Sequence, residues 1–378
     1  MKKLGFGLMR LPHPDPEDWA NVDMDMVKAM VDEYISEGFS YFDTAYIYHR
    51  GMSEKIFGEA VASRYPRDSY VLTTKLPVFM HFTEEDYEKV FNEQLENCKV
   101  EYFDYYFLHG IGGDIYPKLK DNHAFEFMMR KKAEGKTRHI GFSYHDNADT
   151  LDMILNEHPE VELVQLQINY IDWDSESVQS RKCYEVCVKH NVKVSVMEPL
   201  KGGALVNLPK KAKEEFIDAN PIDSIASWGI RFAASLPNVL VVLSGMSDMT
   251  QLEDNMSYMR NFKPLNDYER KVISNVVGII NDSIAIPCTG CRYCVDGCPK
   301  SIAIPEYFAL YNNQHQFGYT MGLDMTFNNL LKNHGRPSDC LKCRKCEKHC
   351  PQHLPITAKL KLVSEVFEKK HFDYENYV

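Results

Sequence analysis

Apolar positions along the first part of the chain alternate between two rhythms, short unbroken runs and longer stretches at helical spacing. Gly5-Phe6-Gly7-Leu8-Met9-Arg10-Leu11-Pro12 reads as a short strand and its turn. Val22 to Ser36 then sets Met26, Val27, Met30, Val31, Tyr34 and Ile35 at helical spacing, with Gly38 as the stop. A strand from Phe39 ends at Asp43. The same alternation predicts helix Ser53 to Ser63, strand Ser69 to Lys75, helix Thr83 to Cys98 and strand Phe103 to His109. It continues with helix Asn122 to Glu134, strand His139 to Ser143, helix Ala148 to Glu157, strand Val161 to Ile168, helix Glu176 to His190 and strand Lys193 to Met197. Helix Ile222 to Ser235, strand Val239 to Ser244 and helix Met249 to Met259 close the series, with extra loops after His109 and Leu200.

Eight strand–helix units in about 260 residues have the length and order of a (β/α)8 TIM barrel, an α/β fold. A doubly wound sheet is the alternative, but no Gly-x-Gly-x-x-Gly follows an early strand. A last helix, Asn266 to Ile280, covers the barrel, and Ser283 to Pro287 reads as a linker. The expected domains are therefore 1–282, the barrel, and 283–378, a small, mainly α-helical unit with helices near Pro305 to Asn313, Leu323 to Asn333 and Lys359 to Lys369.

Single polar residues end several of the predicted strands: Asp43, Lys75 after Thr73-Thr74, and His109 after Phe107-Leu108. Tyr48 follows in the loop after Asp43. In a parallel barrel all such ends meet at one mouth. A free tyrosine, with a pKa of about 10, is a reluctant proton donor at neutral pH. A lysine ammonium beside it favours the phenolate, and a buried carboxylate holds the lysine. The plainer alternative is a structural Asp43–Lys75 ion pair with Tyr48 and His109 as ordinary loop residues.

Composition narrows the setting. With 44% hydrophobic and 26% charged residues the chain has the make-up of a globular protein, and its net charge of -11 argues against binding nucleic acid or an anionic membrane surface. No apolar run approaches the roughly twenty residues of a membrane span, and Met1-Lys2-Lys3-Leu4-Gly5 lacks a signal-peptide core, so the expected location is the cytoplasm. The basic residues Lys342, Arg344, Lys345 and Lys348 read either as a solvated face or as a docking site.

Phe42-Asp43-Thr44-Ala45-x-x-Tyr48, Thr73-Thr74-Lys75 and Phe107-Leu108-His109 resemble, in order and spacing, the catalytic tetrad of the aldo-keto reductases. The resemblance implies Tyr48 as general acid, Lys75 as its tuner, Asp43 as the partner of the lysine and His109 as the group orienting the carbonyl. It also implies a nicotinamide cofactor, NAD(H) or NADP(H). Ser143 and Gln167 resemble the pair that holds the carboxamide, although Tyr144 and His145 stand where an asparagine is usual. Met197 takes the place of the aromatic that commonly stacks on the nicotinamide, a role a thioether can still fill. Gly245, Ser247, Asp248, Gln251 and Asn255 resemble the pyrophosphate and adenosine segment. Asp248 stands where a basic residue often binds the 2′-phosphate of NADPH, which implies a preference for NAD(H) or a weakened site.

Eight of the eleven cysteines follow Pro287. Cys288, Cys291, Cys294 and Cys298-Pro299 recur as Cys340, Cys343, Cys346 and Cys350-Pro351, the ligand run of two-cluster ferredoxins. In such runs the fourth cysteine serves the other cluster. That rule assigns one [4Fe-4S] cluster to Cys288, Cys291, Cys294 and Cys350, and a second to Cys340, Cys343, Cys346 and Cys298. Zinc would use two close pairs and disulfides an oxidising compartment; neither accounts for two full runs, each closed by proline. Cys183 and Cys187, one helical turn apart, and Cys98 read as buried core residues.

Together these features resemble aldo-keto reductases fused to a ferredoxin-like dicluster domain. The expected substrate is a small carbonyl or alcohol. Hydride carries two electrons and a [4Fe-4S] centre passes one, so a flavin is a further candidate cofactor and a ferredoxin or flavoprotein a candidate electron partner. Two other readings stay open: clusters that are structural or redox-sensing, and a chain that is chiefly an electron-transfer protein.

Overall fold

The computed structural model describes residues 1–378 except 15–17, 19, 81–82, 114, 176–177, 289, 296, 351 and 369–378. Glu176, Pro351 and Lys369, on which expectations above fall, lie outside the described residues. The chain divides into two compact units, Met1–Pro199 with Ala226–Asp267, and Leu200–Ile225 with Tyr268–Val378.

The first unit is a closed barrel of eight parallel strands in sequence order. They are β1 (Leu4–Gly7), β2 (Tyr41–Asp43), β3 (Val71–Leu76), β4 (Phe103–Ile111), β5 (Thr137–Tyr144), β6 (Leu163–Gln167), β7 (Lys193–Met197) and β8 (Val239–Ser244). Helix boundaries follow local capping chemistry. Asp23 accepts from Met26 N–H at 3.0 Å and starts helix Met24–Ser36, and Gly38, at φ +75, ends it. Thr83 and Asp86 form a reciprocal capping box for helix Glu84–Cys98.

Residues two apart on a strand share a face, and in this barrel one face is closely filled. Tyr41, Val241 and Leu243 form an apolar cluster, and Thr73 Oγ1 donates to the Tyr41 hydroxyl at 2.6 Å. Gly141 is required there: a Cβ would come within 2.0 Å of the Leu163 carbonyl oxygen and 2.8 Å of the Phe107 ring. On the opposite face Tyr34, from helix Met24–Ser36, packs edge-on to Phe6 at 5.5 Å. Its hydroxyl donates to the carbonyls of Leu4 and Tyr41, tying β1 to β2.

Two stretches differ from expectation. The helix expected at Asn122 to Glu134 is present as Ala124–Ala133, and the extra loop expected after His109 holds a further short helix, Tyr116–Asp121; between the two, His123 sits in the left-handed region at φ 52. The loop expected after Leu200 holds a 3-10 segment, Lys201–Val206, and a helix, Lys210–Ala219, and both fall in the second unit.

The second unit also includes helix Asp267–Asp282, nearly all of it, and helices Ile304–Phe317, Met321–Asn333 and Ile356–Phe367. Its core joins Ile302, Tyr307, Phe308, Leu360 and Val363 to Cys294 and Cys346. Phe327 stacks on Phe367 at 5.2 Å. The expected linker is non-helical at Ile286 but anchored: Ile286 is fully buried, and the Asn312 amide bonds both its N–H and its carbonyl at 2.8 Å.

Candidate active site and metal centres

The barrel brings Asp43, Lys75 and His109 to the C-terminal ends of β2, β3 and β4. Lys75 pairs in register with Phe107, and His109 lies two residues further along β4 on the same face. The loop carrying Tyr48 is tightly folded. Its N–H donates to Ala45 O, and its carbonyl accepts from Gly51 and Ser53 N–H, each at 3.1 Å. His49 and Arg50 occupy the left-handed region at φ 51 and 53, ahead of Gly51 at φ 81, a reversal that non-glycine residues adopt at some cost. His49 Nε2 accepts from Leu11 N–H at 3.1 Å, and Ser53 Oγ bonds Thr44 Oγ1 at 2.7 Å and Leu8 O at 2.9 Å. These buried contacts fix where the phenol is presented.

Lys75 Nζ, wholly buried, donates to Asp43 Oδ1 at 2.6 Å and to Thr44 O at 2.9 Å. The same ammonium lies 5.0 Å from the centre of the Tyr48 ring, and the Tyr48 and His109 rings meet edge-on at 5.8 Å. The second carboxylate oxygen of Asp43 accepts from Gln165 Nε2 at 3.2 Å, so both oxygens are held. Gln165, on β6, was not singled out by the sequence.

The electrostatics follow from burial and these neighbours. Burial pushes the Lys75 ammonium down, but Asp43 and then Tyr48 outweigh it, and the net shift is upward. Burial pushes the Tyr48 phenol above its ordinary 10.0; Lys75 opposes that, while Asp43 and Glu198 add to it. Proximity of the lysine alone, as read from sequence, therefore does not set the sign. Burial raises the Asp43 carboxyl against the pull of Lys75. His109 is held well below 6.5 by burial, Lys75 and His145, and is a neutral imidazole at neutral pH.

A second polar layer supports the lysine strand from outside. Buried Glu54 accepts from Thr74 Oγ1 and from Gln94 Nε2, each at 2.6 Å, and Gln94 Nε2 also donates to Lys75 O at 3.0 Å. Burial pushes the Glu54 carboxyl up to about 7. Glu54 stands in the first turn of helix Ser53–Phe57, where an acidic residue is ordinary, so nothing in its position singles it out.

The residues likened to a cofactor site are distributed as follows. Ser143 Oγ accepts from Gly110 N–H at 2.7 Å. Gln167 donates to Asp172 at 2.9 Å and pairs in register with Met197 at the end of β7. Ser247 Oγ donates to Arg10 O at 2.9 Å, and a Cβ on Gly245 would come within 3.0 Å of the Arg10 side chain. Asp248 is the N-cap of helix Met249–Met259, its two oxygens accepting from the backbone and side-chain nitrogens of Gln251 at 2.8 and 2.9 Å. Asn255 is buried, donates to Ser244 Oγ at 2.9 Å and accepts from Tyr258. Arg10 and Glu198, 3.8 Å apart, add an ion pair that the sequence reading did not include.

In the second unit the cysteines separate into two fours. One hollow is lined by Cys288, Cys291, Cys294 and Cys350, and another by Cys298, Cys340, Cys343 and Cys346. Each hollow thus takes three cysteines from one run and the fourth from the other. Among the described residues no group of three or more His, Cys, Asp or Glu side chains is placed to hold a single metal ion. Four thiols lining each hollow are the donor set that an iron–sulfur cluster takes. Burial, reinforced by neighbouring thiols, pushes Cys294 up to about 12 and Cys346 up to about 11, so loading iron must displace their protons.

The sequence profile of the aldo/keto reductase family matches residues 3–277. The chain belongs to that family. A 4Fe-4S dicluster domain matches residues 287–354, so this aldo/keto reductase is an oxidoreductase carrying an iron–sulfur domain. It is similar to an uncharacterized oxidoreductase, YqkF, of Bacillus subtilis, with 23% identity over 73% of this chain and 92% of that protein. It is also similar to a D-galacturonate reductase of Fragaria ananassa, with 27% identity over 66% of this chain and 77% of the relative. Among solved structures, an aldo-keto reductase from Klebsiella pneumoniae in complex with NADPH superposes with a TM-score of 0.59 at 18% identity, covering 73% of this chain and 90% of that one. Within the described residues no helix is long and apolar enough to cross a membrane.

Proposed function

We propose that this reductase converts a small carbonyl compound to an alcohol, with Tyr48, Lys75, Asp43 and His109 as its catalytic set and two [4Fe-4S] clusters in the tail. The observation that carries the reading is the buried Lys75–Asp43 pair lying beneath the Tyr48 ring. A bound nicotinamide dinucleotide would supply the hydride to the carbonyl carbon. Tyr48 gives its proton to the carbonyl oxygen as negative charge develops there. The Lys75 ammonium stabilises the phenolate left behind, and Asp43, held by Gln165, keeps the ammonium in place. Neutral His109 has an N–H to offer the same carbonyl oxygen, which orients it. The product gains one hydride and one proton, and Tyr48 is reprotonated from solvent.

Ser143, Gln167, Met197, Gly245, Ser247, Asp248 and Gln251 are the candidates to hold the cofactor. Asn255, being buried, serves by supporting the Ser244 turn. A carboxylate at Asp248 disfavours a 2′-phosphate and supports a preference for NAD(H), in contrast to the NADPH bound by the Klebsiella structure.

Bound at the two hollows, the clusters would exchange electrons singly with a ferredoxin or flavoprotein; a flavin would be the converter if those electrons reach the barrel. The barrel, 1–282, is the catalytic body of this reading and 283–378 the cluster carrier. An aldehyde-turnover assay with anaerobically reconstituted protein tests it. NADH-dependent turnover abolished in Tyr48→Phe is expected, and clearly tighter binding of NADPH than of NADH would remove the cofactor preference.

A further inference from the structure

The two cysteine runs repeat in backbone as well as in spacing. In each, the residues on either side of the second cysteine are left-handed: Gly290 at φ 70 and Arg292 at φ 62 in the first run, Lys342 at φ 53 and Arg344 at φ 58 in the second. In each, that second cysteine is exposed and the third is buried. The tips at Cys291 and Cys343 are therefore where each hollow meets solvent.

The tips differ in chemistry. Glycine adopts a left-handed conformation freely, and the first run has Gly290 there; the second has Lys342 at the equivalent position. Lys345 likewise stands where the first run has Tyr293. Leu341, Lys342, Cys343, Arg344 and Lys345 are five consecutive exposed residues, with Leu341 60% exposed. Lys300, Arg344 and Lys345 also line the second hollow. Of the nearby acids, Glu347 lies 3.8 Å from Arg344 but is bonded to Thr357, and Asp339 caps Arg336. At the first tip Arg292 is paired with Glu306. Positive charge on a chain of net charge -11 is thus gathered around one exposed cysteine, beside one exposed leucine.

We propose that the Cys343 tip is the docking site of an acidic one-electron carrier protein, held by Lys342, Arg344 and Lys345 around an apolar contact at Leu341. This inference rests on the reading that both hollows hold clusters. One electron passes from the reduced carrier to the cluster behind Cys343, oxidising the first and reducing the second, with no bond or proton exchanged. Charge complementarity sets the rate of such encounters and makes them fall with salt.

The test mixes a reduced, acidic plant-type [2Fe-2S] ferredoxin with the oxidised, fully reconstituted chain in a stopped-flow spectrometer across a range of salt concentrations. The wild-type rate constant should fall as salt rises. It should drop about tenfold or more at low salt in Lys342→Glu/Lys345→Glu. Lys342→Gly, which installs the residue of the first run, should lower the rate less while keeping the iron content of the wild type. Lys332→Glu, an exposed lysine elsewhere in the unit, should leave it unchanged. Wild-type and charge-reversed proteins that carry equal iron and react equally fast, or a failure of the ferredoxin to reduce the wild type faster than the variant, overturn the docking site alone. Reconstituted protein that holds no cluster overturns the underlying reading as well, and iron analysis reveals that before any mixing.

Discussion

Lys75 and Asp43 meet at 2.6 Å, with both side chains buried and the lysine contributing no exposed surface. Such a pair is worth little when compared with an apolar replacement, but removing one member strands the other charge in the barrel, at a cost of about 3–5 kcal/mol. Asp43→Ala should destabilise the barrel by roughly that amount, read from denaturant unfolding followed by the fluorescence of buried Trp228. A loss below about 1 kcal/mol would mean that the ammonium is not held as described.

With the proposed roles, Tyr48 and His109 should set opposite edges of the activity profile. The phenol is raised above 10.0 and stays protonated, able to act as an acid, through the neutral range. His109, lowered well below 6.5, stays neutral until the solution is distinctly acidic. The kcat/KM for carbonyl reduction should therefore be flat from about pH 7 to pH 9, falling on the alkaline side as Tyr48 ionises and on the acid side as His109 gains a proton. A break near pH 6.5 would contradict the assignment of His109.

Glu54 gives a stability prediction with a definite sign. A carboxyl raised from 4.5 to about 7 in the fold binds its proton more tightly there than in the unfolded chain. Its contribution is fully present below about pH 4.5 and is lost as pH rises through about 7, a change of roughly 3 kcal/mol. Glu54→Gln can keep the bonds to Thr74 and Gln94 through its amide oxygen, so the difference in stability between variant and wild type should shift in favour of the variant between pH 5 and pH 8. Parallel stability curves would show that Glu54 ionises normally.

The crossed cysteine assignment separates from the uncrossed one in a double variant. Cys298 and Cys340 line the same hollow. Cys298→Ser/Cys340→Ser should cost one cluster and leave about four iron atoms per chain. If each run instead held its own cluster, the same pair would remove both, and iron analysis would find almost none.

Strand and helix positions were legible wherever an apolar rhythm ran between clear end signals. Lys193–Met197, Val239–Ser244, Ala148–Glu157 and Met249–Met259 fall where the pattern puts them, and Asn147 and Asp248 accept the capping bonds. Lys210–Ala219 was missed because only Ala212 and Phe216 are buried in it, too few to set a period. Tyr116–Asp121 was missed because it is six residues long and buries only Tyr116 and Leu119, too few to set a helical period. At the site, Asp43, Lys75 and His109 stood out as polar residues ending apolar strands. Gln165 did not, because a polar residue in a strand alternating Leu163, Gln165 and Gln167 with Val164 and Leu166 looks like an ordinary solvent-facing position. Closure of the barrel is what turns that position toward Asp43.

The central claim is that Tyr48 protonates a carbonyl while hydride arrives from a nicotinamide. It is tested most directly by single-turnover reaction of an aldehyde with nicotinamide dinucleotide deuterated at C4, in wild-type protein and in Tyr48→Phe. Wild-type product should carry one deuterium at the former carbonyl carbon, formed about 10²–10⁴ times faster than by the phenylalanine variant. Product free of deuterium, or labelled product formed equally fast by both proteins, would contradict the account.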